Sequence, residues 1–580
     1  MKLETIRHSL SHILAHAIQD LYPKIKFGIG PAIENGFYYD FDNLKISDSD
    51  LPKIEKKMRE LIKQNIEFKK KNISKIEAKN LFKNQPYKLE LIKELAESSS
   101  PQISIYESNG FVDLCAGPHI KSTKEIQSNS FKLTKTAGAY WAGDEKNKML
   151  TRIYGIAFKT KNQLEEYLEL QKEAEQRDHR VLGKKLDLFT FSDLVGKGLP
   201  LFTEKGSTIR RELERFIVDE EIKRGYKHVY TPELAKVELY KTSGHYPYYK
   251  DTMYPIMKVD DDELILRPMT CPHHFQLYSD KPRSYKELPY RIAELAKQFR
   301  YEKSGELSGL IRARSFCLAD SHIICEKDSA INEIDKVLNL IEYIASILGL
   351  KIGINYRYRL SLGDRKDTKK YYKDDKSWNL AEEVLRKVLK KRKSPFIEAK
   401  KEAAFYGPKI DIQIKNFSGK EDTAFTVQYD FVSPKRFNLS YIDKDGKKKE
   451  PIVIHRSSIG ALERTIAFLI EHYKGAFPLW LSPVQIWIIP ISEKHQKYAK
   501  EISEKFKSLN IRLEIKNEAE TMSKKIREGE MQKIPYILIV GDKEIKEKSV
   551  GVRKREKGDI GMIKIDKFIE QIQKEIKNKK

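Results

Sequence analysis

The sequence predicts a multidomain α+β protein, and three observations carry that expectation. The chain has 580 residues, well beyond the size at which one hydrophobic core stops growing, so roughly three or four domains are expected. Helical-period segments mix with antiparallel-looking strands through most of its length. From about residue 481 onward, strand and helix alternate instead, the signature of a small α/β domain with a largely parallel sheet.

The first helix lies in ETIRHSLSHILAHAIQDLYP, where Leu10, Ile13, Leu14, Ala17, Ile18 and Leu21 recur at helical spacing and Pro23 ends the pattern. GIGPAIENGFYYDF reads as glycine-punctuated strands, and SDSDLPKIEKKMRELIKQ as a capped helix. Residues 163–182 are charged and free of Gly and Pro, and are expected to form one helical, rigid linker. The large mixed region that follows, to about Trp480, holds the amphipathic helix RRELERFIVDEEIKRG with Leu213, Phe216 and Ile217 on one face. It also holds antiparallel strands and a late helix starting near Gly460. VQIWIIPI, IRLEIK and YILIVGD are the strands of the last domain, with Lys/Glu-rich helices between them.

Composition narrows the function classes. The longest strongly apolar run, Val484 to Ile491, is too short to cross a bilayer. The start MKLETIRHSL has no apolar signal-peptide core, so a soluble cytoplasmic protein is expected. Four cysteines, Cys115, Cys271, Cys317 and Cys325, do not make a disulfide framework and suit a reducing compartment. Lys+Arg exceed Asp+Glu by 109 to 84, a net +25. A polyanionic partner would explain that balance, and so would a Lys-rich base composition, because the lysines are spread throughout.

Three constellations could carry chemistry. His8, His12 and His16 stack on one helix face, and DLCAGPH supplies Asp113, Cys115 and His119. Such a set can be written as a Cys/His zinc site, and spacing leaves open whether it holds metal or is a metal-free hydrolytic pocket. Cys271 in LRPMTCPHHF, His322 in CLADSHIIC and His455 in VIHRSSIGALER come from three strand-like segments. Together they would leave zinc an open position, although a buried cysteine and two ordinary histidines read equally well from spacing. In FRYEKSGELSGLIRARSF, Arg300 and Glu302 alternate along a strand, with Arg312 and Arg314 on the return strand of a basic hairpin. Arginine there can grip a phosphate or carboxylate in two-pronged fashion, and Arg464 beyond Gly460 offers another contact. A solvated, salt-bridged hairpin is the plainer alternative. No Walker loop or GxGxxG occurs, so an ATP site must use another architecture.

Taken in order, these segments resemble threonyl-tRNA synthetase over nearly the whole chain. FRYE resembles class II motif 2, GALER motif 3, and YTPEL with Pro232 the dimer-forming motif 1; HSLSH with DLCAGPH resembles the editing domain. The resemblance implies a class II antiparallel-sheet catalytic core over 186–480. An α+β editing domain over 1–162 and a helical linker over 163–185 would precede it, with an α/β anticodon-binding domain over 481–580. It implies zinc, one per subunit, on Cys271, His322 and His455, and magnesium with ATP. Arg300 would hold the α-phosphate and carboxylate of the adenylate, Glu302 the adenine amine, and Arg464 the γ-phosphate. Asp320 would bond the threonine hydroxyl, with Tyr406 and Gln428 lining the amino-acid pocket and Met269, Arg312 and Lys409 among the substrate contacts. His245, in TSGHYPYY, matches a histidine implicated in transfer to the tRNA ribose. His8, His12, Asp113, Cys115 and His119 would form the editing site, working without metal. Glu544 and Arg553 match anticodon-contacting positions. The implied partners are tRNA(Thr), ATP, L-threonine and a second copy of the chain, with no membrane.

The sequence departs from the family at several points. It starts almost at HSLSH, so the small ubiquitin-like domain that usually precedes the editing domain is expected to be absent. Leu318 stands where a glutamine is common, and His273 replaces a glycine and is expected to crowd a strand end beside Cys271. NEAETMSKKIRE is shifted against the family pattern, which leaves Asn517 out of the site. Two other readings compete: a prolyl or seryl class II enzyme, and a noncatalytic paralogue that binds tRNA.

Overall fold

The computed structural model describes residues 2–97, 102–416 and 421–580. The chain forms two compact units, Met1–Glu173 and Ala174–Lys580.

In the first unit, helix Leu3–Leu21 packs against strand Gly36–Asp42 and helix Leu51–Lys63. Leu10, Ile13, Leu14, Ala17 and Ile18 are buried as the period requires, and so are Ser9, Ser11, His12 and His16 on other faces. The helix is enclosed because its histidine side is covered in turn by the segment carrying Asp113 and His119. Strands Lys26–Phe27, Gly36–Asp42, Met149–Ala157 and Phe131–Tyr140 pair antiparallel in that order. A second sheet joins Lys69–Ser74, Gln102–Ser108 and Phe111–Leu114. Ser47 and Asp50 form a capping box at the start of the turn leading into Leu51–Lys63.

The single helix expected over 163–182 is two. Lys161–Arg177 stops, Asp178 adopts an extended ψ of 125°, and its carboxylate accepts the N–H of Arg180 at 2.7 Å to cap helix His179–Lys185. A side chain that satisfies a free N–H at a new helix start favours the break over continuation.

The second unit is built on an eight-stranded sheet. Its order is Lys227–His228, Tyr290–Phe299, Ser315–Cys325, Ile452–Ala461, Glu421–Asp430, Lys409–Lys415, Tyr356–Leu362, Phe396–Lys400. The six central strands are antiparallel and the two edge pairs parallel. Helices Glu204–Lys223, Ala330–Ile347 and Leu462–His472 bury Leu213, Phe216, Ile334, Ile341, Ile466 and Ile470 in its main core.

Residues from Ile486 onward form their own core. Leu513–Ile515, Ile486–Pro490 and Tyr536–Val540 are parallel, as strand–helix alternation predicts. An antiparallel hairpin, Ser549–Lys554 with Gly558–Lys564, extends the sheet. Its charged strands lack the apolar run by which the other three are recognised.

Candidate functional site

One cavity of about 730 Å³ opens on the large sheet. The thirteen catalytic, substrate and metal residues anticipated from sequence all line it: His245, Met269, Cys271, Arg300, Glu302, Arg312, Asp320, His322, Tyr406, Lys409, Gln428, His455 and Arg464. Leu318, the expected departure, lines it too.

Cys271, His322 and His455 each offer a ligand atom, and these lie within 4.8 Å of one another. They do not come from three strands. His322 and His455 face each other on adjacent strands, whereas Cys271 is the first residue of helix Cys271–Ser279. Pro272 follows it at a position that suits a helix start, a signal the strand-like reading of LRPMTCP passed over. His455 Nε2 lies 2.7 Å from Asp430 Oδ2, which leaves Nδ1 unprotonated for a metal. Burial pushes the Cys271 thiol up, so a cation is what would hold it as thiolate. The donor set, one thiol and two oriented imidazoles, fits zinc with a position to spare.

His273 lies in the same helix rather than at a strand end beside Cys271. It is buried, with neither ring nitrogen hydrogen-bonded among the described residues.

Arg300 and Glu302 lie beyond the strand expected to carry them, since Tyr290–Phe299 ends one residue earlier. The return strand likewise starts at Ser315, after Arg312 and Arg314. Between them the backbone turns tightly, with Glu302 N donating to Arg300 O at 2.9 Å. Glu302 accepts Arg312 Nε at 2.8 Å, and its carbonyl accepts Arg314 Nε at 3.0 Å. Arg300 is different: burial weakens its hold on the proton, Glu302 opposes that, and its Nε has no partner. A half-buried guanidinium lining a cavity, with one donor unmet, is a receptor for an anion. Arg464 is fixed by two carbonyls, Ile311 O at 3.2 Å and Thr423 O at 3.1 Å.

At the other end, burial raises the Asp320 carboxyl, and Gln298 Nε2 stands 2.9 Å from Thr270 Oγ1 and 3.5 Å from Asp320 Oδ2. Tyr406 stacks on His455 with centroids 4.9 Å apart and donates its hydroxyl to Gln428. Lys409 is drawn to Asp411 at 3.2 Å. His245 is buried, its Nδ1 2.8 Å from Ser243 Oγ, and burial beside His455 lowers it to about 3, so it is neutral. Ser243 was not legible as a site residue; nothing but its place two residues before the histidine could have flagged it.

In the first unit, Cys115 Sγ lies 3.4 Å from His8 Nε2 and 3.3 Å from His119 Nε2. His119 Nδ1 is 3.0 Å from Ser9 Oγ. His12 Nε2 is 3.6 Å from Asp113, which also accepts Tyr39 OH at 2.6 Å and is paired with the buried Lys88. Tyr39 and Lys88 are additions to the expected set; each sits in a distant segment, so no local spacing reveals them. Burial raises the Cys115 thiol to about 11 and, with the neighbouring histidines, lowers His119. His16 does not join the cluster: it stacks on Phe111 and faces Asp20 at 3.9 Å.

In the last domain, Glu544 Oε2 accepts the N–H of Gly541 at 2.9 Å, and Arg553 faces Glu530 at 3.8 Å on the wall of a separate cavity of about 360 Å³.

An antiparallel sheet that presents arginines and a Cys/His set to one cavity, followed by a mixed α/β domain, defines a class II aminoacyl-tRNA synthetase. The comparisons agree. Residues 254–473 match the class II tRNA synthetase core domain (G, H, P, S and T), 485–575 an anticodon binding domain, and 103–154 the threonyl and alanyl tRNA synthetase second additional domain. The chain is 50% identical to the threonine--tRNA ligase of Staphylococcus carnosus, covering 100% of this chain and 89% of that protein. It is 48% identical to that of Anoxybacillus flavithermus over 99% and 89%. The RNA binding domain of threonyl-tRNA synthetase from Cryptosporidium parvum superposes with a TM-score of 0.65 at 34% identity, covering 68% of this chain and 98% of that one. The chain belongs to the threonine--tRNA ligase family.

Proposed function

We propose that this chain activates threonine with ATP, transfers it to the 3′ end of tRNA(Thr), and hydrolyses seryl-tRNA(Thr) in its first unit. The observation that carries this is the meeting of Cys271, His322 and His455 with Arg300, whose Nε has no hydrogen-bond partner, in one cavity. A threonine carboxylate oxygen attacks the α-phosphorus, and pyrophosphate leaves with its magnesium. Arg300 steadies the charge at that phosphorus, Glu302 accepts from the adenine amine, and Arg464 binds the γ-phosphate; Met269, Arg312 and Lys409 complete the lining. His245, neutral and held through Nδ1, presents Nε2 to take the proton of the ribose hydroxyl as it attacks the adenylate carbonyl, and the mixed anhydride breaks to release AMP.

Zinc held by Cys271, His322 and His455 would supply Lewis-acid coordination to the amine and hydroxyl of threonine together. Valine is isosteric but has no hydroxyl, and an apolar pocket alone would separate the two by only roughly 10²-fold. Asp320 accepts from the same hydroxyl, beside Tyr406 and Gln428. Serine keeps the hydroxyl and lacks a methyl, a difference of about 1–3 kcal/mol, so a second site is needed. We place it at His8, His12, Asp113, Cys115 and His119, with Tyr39 and Lys88, as a metal-free hydrolytic centre.

Glu544 and Arg553 are our candidates for anticodon contact. We assign a homodimer to the surface around YTPEL, where Tyr230 is 94% exposed and Leu234 is exposed with it.

ATP–pyrophosphate exchange with threonine, serine and valine, on wild-type and Cys271→Ala protein with zinc quantified, tests the reading. Exchange with threonine and serine but not valine, lost together with zinc in the variant, is expected. Exchange with another amino acid, or none, would overturn it.

A further inference from the structure

One buried histidine outside the cavity joins three elements on which the ATP end depends. His179 opens helix His179–Lys185 and is 1% exposed. Its Nδ1 lies 2.8 Å from Glu471 Oε1, near the end of the helix that carries Arg464. The same oxygen accepts the backbone N–H of His179 at 3.2 Å. On the other side of the ring, Nε2 lies 3.2 Å from the backbone nitrogen of Leu310. An amide N–H only donates, so Nε2 bears the lone pair and the proton sits on Nδ1, given to Glu471. The imidazole is thereby a neutral strut with one end on the helix and the other on the return arm of the hairpin.

The approach is close. Gly309 has φ +51°, and a Cβ there would stand 2.3 Å from His179 Nε2. Two and three residues further on, Ile311 and Arg312 touch the ATP end. Ile311 O accepts from Arg464 Nε, and Arg312 Nε donates to Glu302. The threonine end hangs on other strands: Asp320 on Ser315–Cys325 and Gln428 on Glu421–Asp430.

We propose that His179 is a positioning residue for ATP, pinning the return arm of the motif 2 hairpin to the Arg464 helix so that Glu302, Arg312 and Arg464 keep their mutual geometry. The inference rests on the ATP roles proposed above for those residues.

Asparagine at 179 places an amide where Nδ1 was, keeping the donor to Glu471 but falling short of Leu310. Glutamine reaches the Nε2 position, and its carbonyl can accept the Leu310 N–H. In threonine-dependent exchange on the full-length zinc-loaded protein, His179→Asn is expected to raise KM for ATP about tenfold, the scale of one buried hydrogen bond. KM for threonine should stay within about twofold, and His179→Gln should recover most of the ATP loss. Gly309→Ala, which drives the backbone off the ring while leaving the Glu471 contact, should reproduce the asparagine effect if the histidine variants do not fold. An unchanged ATP KM in His179→Asn, an equal rise in both KM values, or a glutamine variant no better than asparagine would overturn the inference. A wild-type protein without threonine-dependent exchange would instead sink the proposed function itself.

Discussion

Nδ1 of His274 lies 2.7 Å from Nδ1 of His322. Two imidazole nitrogens at that distance share one proton, and the network settles which holds it. Burial alone would raise the Glu294 carboxyl, but hydrogen bonds from His274 and Thr231 and the Arg267 charge keep it below its usual range. An ionised Glu294 accepts a hydrogen bond from His274 Nε2–H, 3.2 Å away. His274 Nδ1 is then the acceptor, His322 donates through Nδ1, and His322 Nε2 is left with a lone pair for the metal. Removing the acceptor in His274→Ala should weaken zinc affinity about 10–100-fold, measured by competition with a chromophoric chelator. His274→Asn, whose carbonyl can take over the contact, should retain most of it. Equal affinity in all three proteins would show that His322 orients itself.

The Lys88–Asp113 pair is buried on both sides, each side chain about 3% exposed. A charge stranded there by loss of its partner costs on the order of 3–5 kcal/mol. Asp113→Asn should therefore lower the unfolding temperature and abolish hydrolysis of seryl-tRNA(Thr), while threonine-dependent exchange in the second unit continues. Lys88→Met should do the same. Misacylated tRNA measured in the presence of serine reads the loss of hydrolysis directly; a variant that melts earlier yet still deacylates would remove Asp113 from the proposed editing centre.

Ser243 Oγ donates to Tyr240 O at 3.0 Å, so its lone pair faces His245 Nδ1–H. That fixes the tautomer with the lone pair on Nε2, the atom proposed as the base. Ser243→Ala should slow single-turnover transfer to tRNA roughly tenfold and leave exchange within about twofold of wild type. The sign of the pH dependence follows from the depressed value. His245 is neutral in the folded protein down to about 3, so the transfer rate should show no ascending limb near pH ~6.5, where a free histidine titrates. The unfolded chain binds that proton below ~6.5 and the folded chain does not, so stability falls on acidification, by at most about 1.4 kcal/mol per pH unit for this group. A limb near 6.5 that disappears in Ser243→Ala would mean that the histidine is solvated during transfer.

The residues that converge in the cavity were legible because each sits in a short string whose residue types suit its chemistry, and long-range pairing then does the rest. His322 and His455 meet only because their strands are neighbours in register, which no spacing encodes. The supporting groups were not legible for the same reason. Asp430, Glu294, Tyr39 and Lys88 look like ordinary strand or helix residues until the fold delivers them to a histidine or a carboxylate. Local rules failed at two kinds of place. A cap reset the chain direction at Asp178, and at Arg300–Glu302 a strand pattern ran on in sequence after the backbone had already turned.

Gly460 shows how a turn can matter to the cavity more than to the fold. It has φ +72° at the end of strand Ile452–Ala461, and a Cβ there would stand 2.3 Å from Ala424 O on the neighbouring strand. Its N–H is held by Ser457 Oγ at 3.0 Å, so it cannot simply swing away. Gly460→Ala must accept a left-handed backbone, costing about 1–2 kcal/mol, and must push strand Glu421–Asp430 outward. That strand carries the Thr423 carbonyl that holds Arg464 and the side chain of Gln428. The strain predicts an unfolding temperature lower by roughly 1–3 °C in a unit of this size. The displaced strand predicts a fall in kcat/KM for exchange of roughly 10–100-fold, felt with ATP and threonine alike because both ends of the cavity lean on it. This distinguishes it from His179→Asn, whose effect is expected on ATP alone. A variant that melts earlier but turns over at the wild-type rate would show that the neighbouring strand yields without moving Arg464 or Gln428.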